Sequence, residues 1–205
     1  MTRQRRQARC ALGVLLLHGL LLASSEAAAQ GKFHRNEKFG YVVFYPERWL
    51  PSGNVYANAF ELRNYDSKSP GAVAERNRAS LIVVDTLNES PEVTSRFLDG
   101  LATEPPFCIV RLSIGGRRAV RVARRMPAQQ LGPGAAGAPP SGQATAGPRF
   151  FFAIDAHIAN GKHLISIEAR APVEADPEVL QDVMWIQENV KFQTPQELRQ
   201  GGGVP

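Results

Sequence analysis

Residues 150–170 read FFFAIDAHIANGKHLISIEAR, and their pattern indicates a β-hairpin. Apolar and polar side chains alternate on both sides of Asn160-Gly161, the pair that favours a two-residue type I′ turn. This turn pairs Ile158 with His163 and gathers the apolar side chains on one face, which must be buried. The other face is mixed and partly hydrated. The apolar face consists of Phe152, Ile154, Ala156, Ile158, Ile165, Ile167 and Ala169.

A second hairpin is predicted over residues 107–125, around a pair of glycines. A two-residue turn at the glycines would place Val110 opposite Arg121 and mix charged with core positions on one face. A three-residue loop that also includes Arg117 pairs Val110 with Val122 instead. We therefore expect the three-residue loop.

Four arginines of this hairpin are the candidate binding residues. The three-residue loop would place Arg111 opposite Arg121 on the face away from the core, with Arg117 and Arg125 at either end of the same stripe. Like charges that face each other across two strands are destabilising unless negative charge lies near. Two sources of that negative charge stay open: Asp and Glu of a neighbouring strand, or an acidic partner such as an envelope protein or an anionic lipid.

The remaining pattern predicts three more strands and two helices. The strands are expected over 39–45, 56–63 and 79–86, and the last is apolar on both faces, as in a covered central strand. Each helix begins with an N-cap followed by proline, at Ser90 and at Asp176, and each has one apolar stripe to bury. The second stripe runs through Val179, Val183, Ile186 and Val190.

Residues 1–29 have the pattern of an export signal. Four arginines precede an uncharged apolar run from Cys10 to Ala23, and alanines 27–29 supply the small side chains of a cleavage site. A run of about 14 residues is short for a hydrocarbon core of about 30 Å, so we expect cleavage before Gln30 and no membrane span afterwards. The mature protein is predicted to be periplasmic or secreted.

The rest of the chain is predicted to form a single domain over residues 30–195. A low-complexity insertion at 127–148 and a glycine-rich tail at 196–205 are expected to be disordered. Loss of the signal removes four of the 24 basic and one of the 19 acidic residues, which leaves a net charge of +2. This near-neutral balance argues against nucleic acid as a partner. Cys108 is the only remaining cysteine, so no intramolecular disulfide is possible.

The sequence contains no motif for catalysis, metal binding or cofactor binding. His157 and His163 point to opposite faces of their hairpin, which argues against a shared metal ion. Asp85, Glu89 and Glu92 cluster at a strand-to-helix junction, where the helix dipole alone attracts carboxylates. We therefore predict no catalytic residues, no metal, no cofactor and no enzymatic activity.

The segment Phe44–Trp49, FYPERW, is an aromatic strand end stopped by a proline and followed by tryptophan. With the order of the elements over most of the mature chain, it resembles the PsbP-like family, which includes extrinsic lumenal proteins of photosystem II and secreted bacterial relatives. The resemblance implies an α+β fold, an α-β-α sandwich with a central, mainly antiparallel sheet of about six strands and two main helices. It implies no catalytic machinery.

On this basis we expect an exported, non-enzymatic binding or assembly-accessory protein of the cell envelope. The alternative is a small-ligand or lipid-binding periplasmic protein with a pocket between the sheet and a helix. Thermal-shift measurements with lipids and envelope metabolites would separate the two, because a ligand of the native state raises the melting temperature.

Overall fold

Ten strands and two α-helices make up the described part of the fold, a computed structural model that covers residues 31–52, 59–66, 68–101, 108–127 and 150–193. The strands are β1 (Gly31–Asn36), β2 (Tyr41–Pro46), β3 (Leu50–Pro51), β4 (Ala59–Arg63), β5 (Ser80–Leu87), β6 (Cys108–Ile114), β7 (Arg117–Pro127), β8 (Phe150–Asn160), β9 (His163–Pro172) and β10 (Val190–Phe192). The helices are α1 (Pro91–Leu101) and α2 (Pro177–Glu188). The predicted export signal, the predicted tail and nearly all of the predicted insertion lie outside the described residues.

The predicted hairpin at residues 150–170 is formed by β8 and β9, but its turn lies one residue further on. Asn160 pairs with His163, so Gly161 and Lys162 make the turn and the predicted turn at Asn160-Gly161 is wrong. A type I′ turn needs positive φ at both central residues. Gly161 has φ 63°, whereas no described residue other than glycine has positive φ. Each residue of β8 therefore pairs with a residue of β9 that lies two positions beyond the predicted one. Because side chains alternate between faces, a shift of two keeps the predicted apolar face.

The β6–β7 hairpin has a two-residue turn at Gly115 and Gly116, and the predicted three-residue loop is wrong. Val110 pairs with Arg121. Both glycines have positive φ, 54° and 75°, which a tight turn of this kind requires. The mixed face of this register is tolerated because the Arg121 side chain bonds polar groups of α2, as described below.

Seven strands form one sheet in the order β3-β4-β5-β9-β8-β7-β6. All of its described pairings are antiparallel. The predicted central strand is β5, between β4 and β9. The predicted α+β class, with two helices and a mainly antiparallel sheet, is confirmed, with seven strands where about six were expected. Tyr56, in the predicted 56–63 strand, lies outside the described residues, and β4 begins at Ala59.

A second sheet, which the sequence did not predict, has the order β1-β2-β10. In it Val190 pairs with Val43. The predicted place of Val190 on the apolar stripe of the second helix is wrong because that helix ends at Glu188. Asn189 bonds the carbonyl of Trp185 through both its backbone N–H and its side-chain amide, and the chain then enters β10.

The two helices pack on opposite faces of the seven-stranded sheet. Both begin at the predicted proline, α1 at Pro91 and α2 at Pro177. On what we call the α1 face, the fully buried Leu98 packs with Val120, Val122 and Leu164. On the α2 face, Val183 and Ile186 belong to the larger core cluster, which includes the predicted apolar face of β8 and β9. This is the predicted α-β-α sandwich.

Asp182 of α2 attaches the helix to the corner after β2. It is 8% exposed and accepts a hydrogen bond from Trp49 Nε1 at 2.8 Å. Arg48 donates two more bonds of 2.6 Å to the same carboxylate, in a bidentate pair. Trp49 is completely buried and belongs to the larger core cluster.

We expect Gly115→Ala to destabilise the protein more than Gly116→Ala. Both substitutions force an L side chain into positive φ, at a cost of about 1 to 2 kcal/mol. A Cβ at Gly115 would also lie 2.5 Å from the carbonyl oxygen of Val190 and 2.8 Å from the Phe192 ring, whereas at Gly116 it meets nothing within 4 Å. Urea unfolding should therefore show a loss that is larger for Gly115→Ala by at least about 1 kcal/mol. Equal losses would contradict the contact between this turn and β10.

Candidate functional site

The four arginines predicted to form one stripe are divided between the two faces of the sheet. Arg117, Arg121 and Arg125 are four residues apart on β7, an even spacing that places all three on the α2 face. Arg111 pairs with Val120 and lies on the α1 face. The predicted pairing of Arg111 with Arg121 is wrong because the tight turn shifts the register by one residue, and such a shift moves a side chain to the opposite face.

Arg121 is bonded to helix α2. Its Nε donates to Oε1 of Gln187 at 3.0 Å, and its Nη2 lies 2.7 Å from Oε1 of Glu188. The side-chain amide of Gln187 in turn donates to the carbonyls of Ile154 and Ile167, at 2.8 and 3.0 Å. The Arg121 side chain is only 12% exposed. The sequence left open whether the negative charge near these arginines belongs to the same chain or to a partner. For Arg121 it belongs to the same chain.

The other three arginines are exposed. Arg125 stacks on Phe150 with its guanidinium carbon 3.8 Å from the ring centroid, and Arg117 lies 5.6 Å from the centroid of Phe192. A guanidinium stacked on a ring keeps its in-plane N–H donors free to meet an anion. We call Arg111, Arg117 and Arg125 the arginine edge.

The hairpin at 108–127 contains six arginines and no acidic residue. Besides Arg121, two of them have acidic neighbours in this chain. Arg118 forms an ion pair with Asp99 of α1, and Arg124 lies 3.8 Å from Asp155. Among the described residues, the arginines of this hairpin that have no acidic neighbour are therefore those of the arginine edge.

A network of four charges covers part of the α1 face. Asp155 stands directly opposite Glu168, Arg170 forms ion pairs with both, and Arg124 adds a second cation. Burial raises the pKa of Glu168, the charge of Asp155 raises it further, and the two arginines oppose the rise. Two cations thus balance two neighbouring carboxylates. The alternating charges of β8 and β9 were visible in the sequence, but their pairing depended on the correct register.

The two histidines of the β8–β9 hairpin point to opposite faces, as the alternation predicts. His157 Nδ1 lies 2.9 Å from Ser166 Oγ on the α1 face, and burial lowers the pKa of this histidine. His163 Nδ1 lies 2.8 Å from Asp85 Oδ1 on the α2 face. Burial raises the pKa of Asp85, while the hydrogen bond from His163 opposes the rise.

The carboxylates at the strand-to-helix junction have different environments. Asp85 is buried beside His163, whereas Glu89 and Glu92 are exposed. Within the described ranges, no group of three or more His, Cys, Asp or Glu side chains has an arrangement that could hold a metal ion. The helices of the described residues are too short or too polar to cross a membrane.

The chain matches no family model and no curated protein. Among solved structures it is similar to the solution structure of CyanoP, the cyanobacterial PsbP of Synechocystis, with a TM-score of 0.46, 12% identity and coverage of 83% of this chain and 96% of that one. It is also similar to a crystal structure from Bacteroides thetaiotaomicron, with a TM-score of 0.49, 10% identity and 82% of this chain covered. The match spans 50% of the Bacteroides chain. Membership of the PsbP-like family stays a prediction from the sequence.

We expect Arg121→Glu to destabilise the fold by about 2 to 4 kcal/mol. The change places a carboxylate beside Glu188 and removes the donor to Gln187. Arg111→Glu is the matched control on the same hairpin, and its exposed position predicts a change below about 0.5 kcal/mol. Denaturant unfolding measures both. Equal midpoints for the two variants would contradict the attachment of Arg121 to α2.

We expect stability to fall as the pH drops below about 6.5, the ordinary pKa of histidine, and His157→Asn to make that fall smaller. Because burial lowers the pKa of His157 in the folded protein, the unfolded chain takes up the proton first, and stability present above pH 6.5 is lost on acidification. Asparagine keeps a polar atom near the Ser166 hydroxyl. The lowered pKa of His34 acts in the same direction, and the raised pKa values of Glu168 and Asp85 act against it, in both proteins. Unfolding midpoints at several pH values test this, and parallel curves would contradict it.

Proposed function

We propose that this chain is an exported, non-enzymatic binding protein of the cell envelope, and that its arginine edge attaches it to an acidic surface of a larger envelope component. One observation carries the proposal. The hairpin contains six arginines and no acidic residue; three of them have acidic neighbours in their own chain, whereas the exposed Arg111, Arg117 and Arg125 have none among the described residues. The guanidinium groups of the arginine edge are thus the ones that a partner's carboxylates can pair with.

The side-chain packing of the arginine edge supports this role. Arg125 and Arg117 rest on the rings of Phe150 and Phe192, which restricts their rotamers before any partner arrives. Immobilising a free, rotamer-rich side chain on binding costs about 0.5 to 1.5 kcal/mol, and a stacked arginine has already lost part of that freedom. The planar guanidinium also matches carboxylates in bidentate geometry.

The distribution of charge supports a directed contact. The predicted mature chain has a net charge of +2, and the hairpin at 108–127 alone carries six positive charges, so the rest of the mature chain carries a net charge of −4. Such separation of charge orients a protein as it approaches an acidic surface and raises the association rate at low salt.

The state of the titratable side chains supports a non-enzymatic role. Asp155 and Glu168 share Arg170, and Asp85 is bonded to His163. These carboxylates are bonded to side chains of their own chain, whereas acid-base catalysis needs a group within hydrogen-bond reach of a substrate. Turnover of an ester, phosphate or glycoside that was lost on mutation of one of these residues would contradict this part of the proposal.

The test compares envelope binding by wild type and two charge-matched variants of the mature protein. The first variant replaces the arginine edge by glutamate (Arg111→Glu, Arg117→Glu, Arg125→Glu). The second makes the same change in charge at exposed positions outside the hairpin (Lys68→Glu, Arg76→Glu, Lys162→Glu). Co-sedimentation with the envelope fraction of the producing cell is measured over a range of salt concentrations.

We expect the wild type and the second variant to sediment with the envelope fraction and the first variant to remain in solution. Salt should release the wild type, because exposed charges are screened over about 8 to 10 Å at ordinary ionic strength. Equal loss in both variants would show that only net charge matters. Equal retention would show that the arginine edge has no part in attachment.

A further inference from the structure

Strand β6 ends the seven-stranded sheet, and its outer edge meets no other strand among the described residues. It is 7 residues long, whereas β3 at the opposite end of the sheet has 2 residues. Exposed edges are usually kept short or strongly charged, because their free N–H and C=O groups pair readily with a further strand. β6 is long and contains a single charged side chain, Arg111.

The side chains of β6 define what an added strand would meet. Arg111 and Ser113 are exposed on the α1 face, whereas Val110 and Leu112 are half-buried on the α2 face. Leu112 packs against the main core cluster. Since side chains of neighbouring strands lie beside one another on each face, a matching strand needs apolar residues near Val110 and Leu112 and a carboxylate near Arg111.

The charge on β6 argues against a second copy of this chain as that strand. Arg111 is the middle residue of Cys108–Ile114, so full antiparallel pairing of two β6 strands would place Arg111 opposite its own counterpart. Like charges directly opposite are destabilising. The hairpin supplies no acidic residue to compensate. Pairing of two β6 strands is therefore disfavoured, and the strand that complements Arg111 is one with a carboxylate opposite it.

We infer that β6 is a strand-addition site for an extended segment of a partner protein in which acidic and apolar side chains alternate. The inference rests on the proposed function and specifies how the acidic partner is held. Main-chain hydrogen bonds along β6 supply affinity, and a carboxylate beside Arg111 selects the sequence. The partner segment becomes the eighth strand of the sheet.

The test uses a synthetic peptide of alternating valine and glutamate, matched to the 7 residues of β6. Two control peptides have the same length: one has lysine in place of glutamate, and one has proline at its centre. Each is titrated into the mature protein and followed by NMR, and amide hydrogen exchange is measured at saturation. The protein variants are Arg111→Glu and, as a single charge reversal at an exposed turn away from β6, Lys162→Glu.

We expect the valine-glutamate peptide to slow exchange of alternate β6 amides at least tenfold. Arg111→Glu should weaken its binding about fivefold to tenfold, because an attractive cross-strand pair becomes a repulsive one, and Lys162→Glu should not. The central proline removes a main-chain donor and should weaken binding at least tenfold. The lysine peptide should not bind.

Two results separate this inference from the proposed function. If the arginine edge is needed for envelope binding but the β6 amides stay unprotected by the acidic peptide, strand addition is wrong and the proposed function stands. If the peptide protects β6 but envelope binding does not depend on the arginine edge, the strand-addition site on β6 stands and the proposed attachment through the arginine edge is wrong.

Discussion

The buried side-chain amide of Gln187 is the interaction on which the arrangement of α2 depends. It is fully buried, it donates to one carbonyl on each of the two central strands, and it accepts from Arg121. Apolar contacts between a helix and a sheet are non-directional and allow the helix to slide. An unpaired buried amide costs about 1 to 3 kcal/mol, so the helix is stable only where all these partners meet it.

This amide also determines the chemistry of the β6–β7 hairpin. The buried oxygen of this amide needs a hydrogen-bond donor, and Arg121 supplies it. A charged residue is therefore tolerated on the core side of β7. The tight two-glycine turn, which places Arg121 on that side, is stabilised by the same contact. The three residues of the arginine edge stay at the surface and lie on two faces of the hairpin.

A second polar contact positions the other half of α2 and connects this helix to the three-stranded sheet. Asp182 holds Arg48 and the buried Trp49, directly after β2. The helix then ends beside β2, so the chain can continue into β10 and pair with it. Strand β10 in turn lies against Gly115, where a Cβ would clash with the carbonyl of Val190. The two sheets and α2 are therefore positioned together.

The local elements could be predicted from the sequence: the alternation over residues 150–170, the helix starts at Ser90 and Asp176, the covered strand that became β5, and the α+β class. These follow from side-chain period and from the proline at the first helical position, which act within a few residues. The turn registers, the second sheet and the role of Arg121 could not be predicted in this way. They depend on contacts between residues that are far apart in the chain. Alternation has a period of two and does not specify which residue of the partner strand stands opposite. That choice depended on backbone φ at the glycines and on Gln187, which lies 66 residues away from Arg121 in the chain.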